Sequence, residues 1–115
     1  MLRLFREFRR GSTKVLILSQ LDKQPMYGYQ IVRAIRDKSN SYFDLSEGSL
    51  YPALHSLEKQ GLIQGDWLDV GGRSRKYYLL TSEGKKFLEK TVTEWKDFSS
   101  NLGALIGERN KAGVR

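Results

Sequence analysis

The residues of this 115-residue chain best suited to chemistry are cations beside a pair of glycines. Arg73, Arg75 and Lys76 follow Gly71-Gly72 without an intervening acid. A guanidinium binds phosphate oxygens through paired hydrogen bonds and enters narrow grooves of nucleic acid. Cations also occur at the edge of a β-hairpin only to prevent aggregation. Three cations without an acid are more than this protection requires. The segment therefore favours contact with a polyanion such as DNA.

The charge of the whole chain indicates the same class of partner. Twenty Lys and Arg residues face 13 Asp and Glu residues, which gives a net charge of +7. Residues 1–14 hold five of these cations against one acid, so the excess lies at the N-terminus and at the glycine pair. A polyanion-binding protein and a surface kept soluble by its charge both fit this composition.

Catalysis and metal binding have little support. His55 is the only histidine and cysteine is absent, so a catalytic triad or a ligand cluster would need several copies of one residue. Gly71-Gly72 lacks the helix and lysine of a phosphate-binding loop. We therefore expect no enzyme, no cofactor and no metal. No apolar run approaches the roughly 18–20 residues that span a bilayer, and Met1–Arg6 has no signal-peptide pattern. A cytoplasmic protein without a membrane partner is expected.

Two helices are predicted ahead of the basic segment. Residues 12–21 are an apolar run that Ser12 could cap, after an amphipathic turn or helix over Leu4–Phe8. Tyr27–Lys38 repeats apolar residues at helical spacing and predicts an amphipathic helix. Pro25 separates the two, because the residue before a proline disfavours the helical conformation.

A third helix is predicted between Ser46, a capping residue, and Gly61, which suits a left-handed C-terminal position. Pro52 lies inside it and would clash with the carbonyl of Gly48, so we expect one continuous helix with irregular first turns. The predicted core face is Leu50, Leu54 and Leu57. The opposite face is short or polar, which allows a helix to lie deep in a groove of DNA. An ordinary solvated helix is the alternative. The residues of that face are Ser49, Pro52, Ala53, His55, Ser56 and Lys59.

A β-hairpin is predicted next. Residues 62–70 and 76–80 are rich in β-branched and aromatic side chains, which favour strands. The glycine pair between them is typical of a hairpin turn. We expect residues 71–76 to form a basic loop between the two strands.

A long amphipathic helix is predicted from Ser82 to Ile106 or beyond, with a frayed polar tail from Gly107. A body of about 80 residues is too small to cover its apolar stripe, so the surplus is expected to pack on a second copy of the chain. Two copies of Trp95 could sandwich a planar aromatic effector; alternatively, Trp95 only packs the interface. The predicted dimer and effector surface is Leu88, Val92, Trp95, Phe98, Leu102 and Ile106.

Three helices followed by a hairpin and a long helix predict an α+β fold, mainly α. This is a winged helix-turn-helix with a long C-terminal dimerisation helix. The third helix would enter the major groove, and the hairpin, or wing, would lie along the backbone or minor groove. Residues 1–81 would be the DNA-binding domain with a basic N-terminal extension. Residues 82–115 would form the dimerisation helix and the frayed tail.

Four motifs in this order resemble the PadR family of transcriptional regulators. They are Tyr27–Ile31, Gly48-Ser49, Leu50–Ile63 and Arg75–Gly84. The resemblance covers about residues 12–90, and the short C-terminal part is similar to the smaller PadR subfamily with a single dimerisation helix.

The resemblance implies a homodimeric repressor that binds a palindromic operator in double-stranded DNA and is released by a small molecule. It also implies DNA contacts on the third helix, on the wing and at the start of the second helix. These are Ser49, Tyr51, Pro52, His55, Lys59, Gly72, Arg73, Arg75, Lys76 and Tyr27, with Gly28 and Tyr29 near the DNA backbone. A winged helix that binds protein instead of DNA, and a ligand-binding dimer without a DNA role, are the alternatives.

Overall fold

Four helices and three strands follow one another in the order that the apolar spacing predicts, with one short strand added. The computed structural model describes the backbone of residues 3–112 and the side chains of residues 11–107. The mainly helical winged helix-turn-helix with a long C-terminal helix is confirmed. Its elements are α1 (Arg3–Leu21), β1 (Met26–Tyr27), α2 (Gly28–Lys38), α3 (Glu47–Lys59), β2 (Ile63–Val70), β3 (Arg73–Leu80) and α4 (Ser82–Ala112).

The core lies where the helices meet one face of the small sheet. Each of the first three helices contributes the apolar face that its spacing predicts, and burial of such faces is the main stabilising term for helices this short. Leu50, Leu54 and Leu57 of α3 are buried, as predicted. The other buried side chains are Ile17, Leu18, Leu21, Met26, Ile31, Ile35, Ile63, Tyr78 and Leu88.

Helix α1 is longer than predicted. It runs without a break from Arg3 to Leu21, so Ser12 lies inside the helix and the prediction of Ser12 as its N-cap is wrong. Gly11 costs an interior helix about 1 kcal/mol, which is too little to end a helix whose apolar spacing continues on both sides. The side chains of the basic segment 3–10 lie outside the described residues.

The ends of α3 follow the predicted capping pattern. The Ser46 hydroxyl accepts a hydrogen bond from the Ser49 amide at 3.2 Å. At the other end Gly61 has φ +77°, and the Leu62 amide donates to the Leu57 carbonyl at 3.0 Å. This is the six-to-one bond of a Schellman motif, which needs a residue that tolerates the left-handed conformation. The helix is continuous through Pro52, as predicted.

The wing is a tight hairpin rather than two strands joined by a loop. Gly71 and Gly72, at φ +59° and +78°, form a two-residue turn, and Val70 pairs directly with Arg73. Positive φ at both positions gives a turn whose twist matches that of antiparallel strands. The predicted basic loop over residues 71–76 is therefore wrong, because the strand ladder begins at Arg73.

A third strand was not predicted. Met26 and Tyr27 pair with Tyr78 and Tyr77, so β3 lies in the middle of a sheet of order β1-β3-β2. Two residues are too few to show the alternation of a strand, and the helix predicted over Tyr27–Lys38 already included Tyr27.

Helix α4 begins with a turn that is hydrogen-bonded to the body of the domain. Thr81 Oγ1 donates to the Gly61 carbonyl at 2.7 Å and accepts from the Gly84 amide at 3.0 Å. A β-carbon on Gly84 would overlap the Leu62 carbonyl oxygen, so only glycine allows this approach. The helix continues to Ala112, past the Gly107 at which fraying was expected. The sequence after Gly107 supplies good helix formers, namely Glu, Arg, Lys and Ala.

Candidate nucleic-acid interface

The outer face of α3 carries the predicted contact residues together. Ser49, Tyr51, Pro52, His55 and Lys59 are all exposed, on the side opposite the three buried leucines. Their side chains are short or end in a hydrogen-bonding group, apart from the proline. The face therefore presents donors and acceptors along about three turns of helix, and its longer side chains, Tyr51 and Lys59, end in groups that can hydrogen-bond to DNA.

Tyr51 has a packing role as well as an exposed edge. Its hydroxyl lies 2.6 Å from the position of a β-carbon on Gly28, and its Cζ lies 3.1 Å from it. Gly28 is the first residue of α2, so the ring of Tyr51 covers the start of that helix. The space that this glycine leaves is therefore filled by an aromatic side chain and not by a neighbouring backbone.

Strand alternation divides the cations of the wing between its two faces. Residues directly opposite each other in antiparallel strands share a face. Arg73 pairs with Val70 and Arg75 with Leu68, whereas Lys76 pairs with Trp67. The two arginines therefore lie on one face and the lysine on the other, which the loop prediction did not foresee.

Arg75 is held in place by aromatic side chains. Its guanidinium carbon lies 4.4 Å from the centroid of the Tyr27 ring. That ring in turn contacts Tyr77 edge-on, at 5.3 Å between centroids. The Tyr27 amide donates to Gln30 Oε1 at 3.1 Å, so the residue is also fixed at the start of α2. The stacking limits the conformations of Arg75 and leaves its planar group ready for an anion.

Lys76 has an acidic partner on α3. Its Nζ donates to Glu58 Oε1 at 3.1 Å and lies 5.4 Å from the centroid of the Tyr78 ring. The hydrogen bond to Glu58 raises the pKa of the Lys76 ammonium above its ordinary value. Burial raises the pKa of the Tyr78 phenol, against the opposing effect of the nearby ammonium. Sequence inspection missed Glu58, because 18 residues separate it from Lys76 and no local pattern links them.

A groove of about 410 Å³ lies between the wing and the starts of α2 and α3. It is lined by aromatic rings and cations, and is open to solvent. Its exposed wall includes Trp67, which sequence inspection placed only in a strand. The lining residues are Tyr27, Gly28, Tyr51, Trp67, Ser74, Arg75, Lys76 and Tyr78.

Residues 17–90 match the transcriptional regulator PadR-like family. The chain belongs to this family. A transcriptional regulator of Mycobacterium tuberculosis is 32% identical to it over 108 residues, which cover 94% of this chain and 96% of that protein.

Solved structures agree with this assignment. A transcriptional regulator from Clostridium thermocellum matches with a TM-score of 0.80 and 31% identity, covering 87% of this chain and 98% of that one. A PadR family transcriptional regulator from Eggerthella lenta matches with a TM-score of 0.78 and 35% identity, covering 90% and 88% of the two chains. The predicted family resemblance is confirmed.

The stripe on α4 of this PadR-like regulator divides into two parts. Leu88 belongs to the core of its own chain and Val92 packs against that core. The remaining predicted positions, Trp95, Phe98, Leu102 and Ile106, are exposed apolar side chains. The rings of Trp95 and Phe98 lie 5.8 Å apart between centroids. Leu105 is also exposed, and the uncovered stripe runs from Trp95 to Ile106.

Metal-ligand clusters and membrane-spanning helices are absent from the described part of this PadR-like chain. Among the side chains of residues 11–107, no three carboxylates or imidazoles lie close enough together to hold a metal ion. No helix within residues 3–112 combines the length and the apolar content needed to cross a membrane.

Proposed function

We propose that this PadR-like regulator binds a palindromic operator in double-stranded DNA as a homodimer. Helix α3 of each copy would enter the major groove of one half-site, and each wing would follow the adjacent backbone or minor groove. Residues 1–81 would be the DNA-binding domain and residues 82–115 the dimerisation helix with its tail. One observation carries the proposal. The exposed polar face of α3 and the two arginines on one face of the wing, Arg73 and Arg75, belong to the same small, well-packed domain.

The proposed contacts divide into positioning and sequence reading. Ser49 and His55 would reach base edges, because they present donors and acceptors without bulk. Lys59 would pair with a phosphate. Tyr51 and Pro52 would shape the fit of the helix.

The wing and the start of α2 would supply backbone contacts. Arg73 and Arg75 would neutralise phosphates or enter the minor groove, where narrow width strengthens the negative potential. Gly72, at the turn, would allow the wing backbone to approach the DNA closely. Tyr27 would act through Arg75, whose guanidinium stacks on its ring.

The exposed stripe of α4 supports the dimer. This stripe is a row of large exposed apolar side chains, and contiguous exposed apolar patches mark interaction sites. Its residues are Trp95, Phe98, Leu102, Leu105 and Ile106. A second copy is the proposed partner, because a two-fold axis lets the same stripe cover itself. The dimer would then place two α3 helices at half-sites about one DNA turn apart.

Regulation would follow from the same surface. We propose repression that a planar aromatic effector relieves by inserting between two copies of Trp95. Quenching of Trp95 fluorescence by planar aromatics in a Trp67→Phe background would report the binding. Quenching with no change in DNA affinity would instead favour a ligand-binding dimer without a DNA role. Because the proposed target is chromosomal DNA, the proposed place of action is the cytoplasm.

A salt titration tests DNA binding most directly. Labelled DNA from upstream of the gene is mixed with the protein, and the association constant is measured by fluorescence anisotropy at several salt concentrations. Several phosphate contacts predict that the logarithm of this constant falls steeply with the logarithm of salt concentration. A shuffled fragment of equal length serves as the control. A flat salt dependence, or equal affinity for both fragments, contradicts the proposal.

A protein-binding wing is the second candidate function. Leu68 and Val70 are exposed on one face of β2 and Trp67 is exposed on the other, so either face of the wing offers apolar side chains to a partner protein. This candidate predicts that Arg73→Ala and Lys76→Ala abolish capture of a partner while leaving DNA affinity unchanged.

A further inference from the structure

We propose that Lys76 and Glu58 are positioning residues, whose ion pair fixes the wing relative to α3 in DNA binding. Lys76 then acts through Glu58 and not through a DNA phosphate. The inference rests on the proposed function, and it assigns to this site an acidic residue that a polyanion would be expected to repel.

The pair joins the two elements that the proposed interface must hold at a set angle. Glu58 lies near the end of α3 and Lys76 lies within β3. The Lys76 Nζ and Glu58 Oε1 atoms are 3.1 Å apart, and the two side chains are only 30% and 34% exposed. A partly covered pair is less screened than a surface pair, and it resists separation of the helix from the wing.

Gly65 leaves the space that the Lys76 side chain occupies on its way to Glu58. A β-carbon at this position of β2 would collide with Lys76 Cε, and would lie 3.2 Å from Glu58 Oε2 and 3.2 Å from Tyr78 Cε1. The lysine stem therefore crosses β2 through the space that a missing side chain leaves. A glycine weakens a strand and marks a close approach, so its presence here fits a route kept open for Lys76.

The direction of the lysine also separates it from the arginines. Lys76 lies on the face of the wing that packs towards α3, as does Tyr78, whereas Arg73 and Arg75 lie on the other face. A phosphate bound to the Lys76 ammonium would either lie close to the Glu58 carboxylate, which repels it, or draw the ammonium away from Glu58. Arg73 and Arg75 are therefore the better phosphate contacts of the wing.

Lys76 either contacts a DNA phosphate or positions the wing through Glu58, and these two roles predict opposite effects of Glu58→Gln on operator binding. Glu58→Gln keeps the shape of the side chain and removes a negative charge close to the DNA. By simple electrostatics it would tighten binding, because a repulsive charge is lost. If the pair positions the wing, Glu58→Gln instead weakens operator binding, by roughly three- to tenfold.

The decisive experiment measures operator affinity across a salt series for the full chain and four variants. They are Glu58→Gln, Lys76→Gln, the double variant and the exchange Glu58→Lys with Lys76→Glu. We expect the two single changes to weaken binding by similar factors and the double variant to cost no more than either. The exchange should recover part of the loss, and the salt slope should stay unchanged in Lys76→Gln.

The opposite pattern overturns the inference. Tighter binding by Glu58→Gln, together with a salt slope about one unit shallower in Lys76→Gln, would mean that Lys76 contacts a phosphate. Failure of the unaltered chain to prefer its operator would instead refute the proposed function. Circular dichroism verifies that each variant is folded. Gly65→Ala displaces the lysine without changing any charge, and should weaken binding in the same way as Glu58→Gln.

Discussion

The hydroxyl of Tyr51 lies 2.6 Å from the point where a β-carbon of Gly28 would stand. Helix α3 therefore packs on the first residue of α2 only because that residue is glycine. Tyr51 also lines the groove between the wing and the starts of α2 and α3. The glycine in the Tyr-Gly-Tyr motif is thereby explained by packing between the two helices.

Gly28→Ala is expected to destabilise the domain by about 1–3 kcal/mol, the usual cost of adding a methyl group to a filled site. Urea unfolding measures the change. Tyr51→Phe in the same chain should recover part of the loss, because it removes the nearest atom. Gly48→Ala is the matched control: the nearest atom there is 3.6 Å away, and alanine favours a helix. Equal stability of Gly28→Ala and the unaltered protein would contradict the packing role.

Arg73→Gln and Arg75→Gln should each weaken operator binding and reduce the steepness of its salt dependence by about one unit, as the loss of one phosphate contact requires. Anisotropy titrations at several salt concentrations give both quantities. Lys90→Gln, which removes an exposed cation from α4, should leave the slope unchanged. A slope that all three variants share with the unaltered protein would show that the wing arginines do not contact phosphate.

Trp95→Asp should convert the proposed dimer to a monomer, because two carboxylates facing each other across its two-fold axis would be costly to bury. Sedimentation equilibrium at micromolar concentration measures the mass. Trp67→Asp is a matched control, since the two tryptophans are similarly exposed, at 61% for Trp95 and 67% for Trp67. If Trp95→Asp remains dimeric, the subunits associate through a different surface.

Stability is expected to fall in alkaline solution. Folding raises the pKa of both Lys76 and Tyr78 above their ordinary values of 10.5 and 10.0. The folded state therefore binds these protons more tightly than the unfolded chain, and the stabilisation is present below about pH 10 and lost as pH rises through the folded values. Urea unfolding between about pH 9 and about pH 11.5 measures this loss.

Two variants isolate the contribution of these groups from that of the other tyrosines and lysines. Tyr78→Phe should flatten the alkaline decline relative to the unaltered protein, and Tyr78→Phe combined with Lys76→Gln should flatten it further. Tyr29→Phe, which removes the phenol of an exposed tyrosine on α2, serves as the control. Parallel declines in all these proteins would contradict the assigned pKa shifts.

Much of the fold was available from local patterns. The spacing of Leu50, Leu54 and Leu57 predicted the buried face of α3, and Ser46 and Gly61 predicted its two ends. The glycine pair predicted the position of the hairpin turn. These features depend on side-chain periodicity and backbone preferences within a few residues, which a sequence displays directly.

The candidate site was predicted less completely. The outer face of α3 follows from helix geometry once its inner face is known. The division of the wing cations between two faces could not be predicted in this way. It depends on β3 beginning at Arg73, and the sequence of residues 70–76 is compatible with both a two-residue turn and a longer loop. Similarly, the spacing of apolar residues assigned Leu88 to the dimer surface of α4, whereas the fold buries it in the core of its own chain.

The sequence by itself determined the family, the order of the main elements and most of the core. Only the tertiary structure paired Lys76 with Glu58, seated Tyr51 on Gly28 and added β1 to the sheet. The physical reason is the range of the interactions. Helix periods, caps and turns arise from neighbouring residues, whereas these contacts join residues far apart in the chain, whose approach depends on the packing of the whole domain.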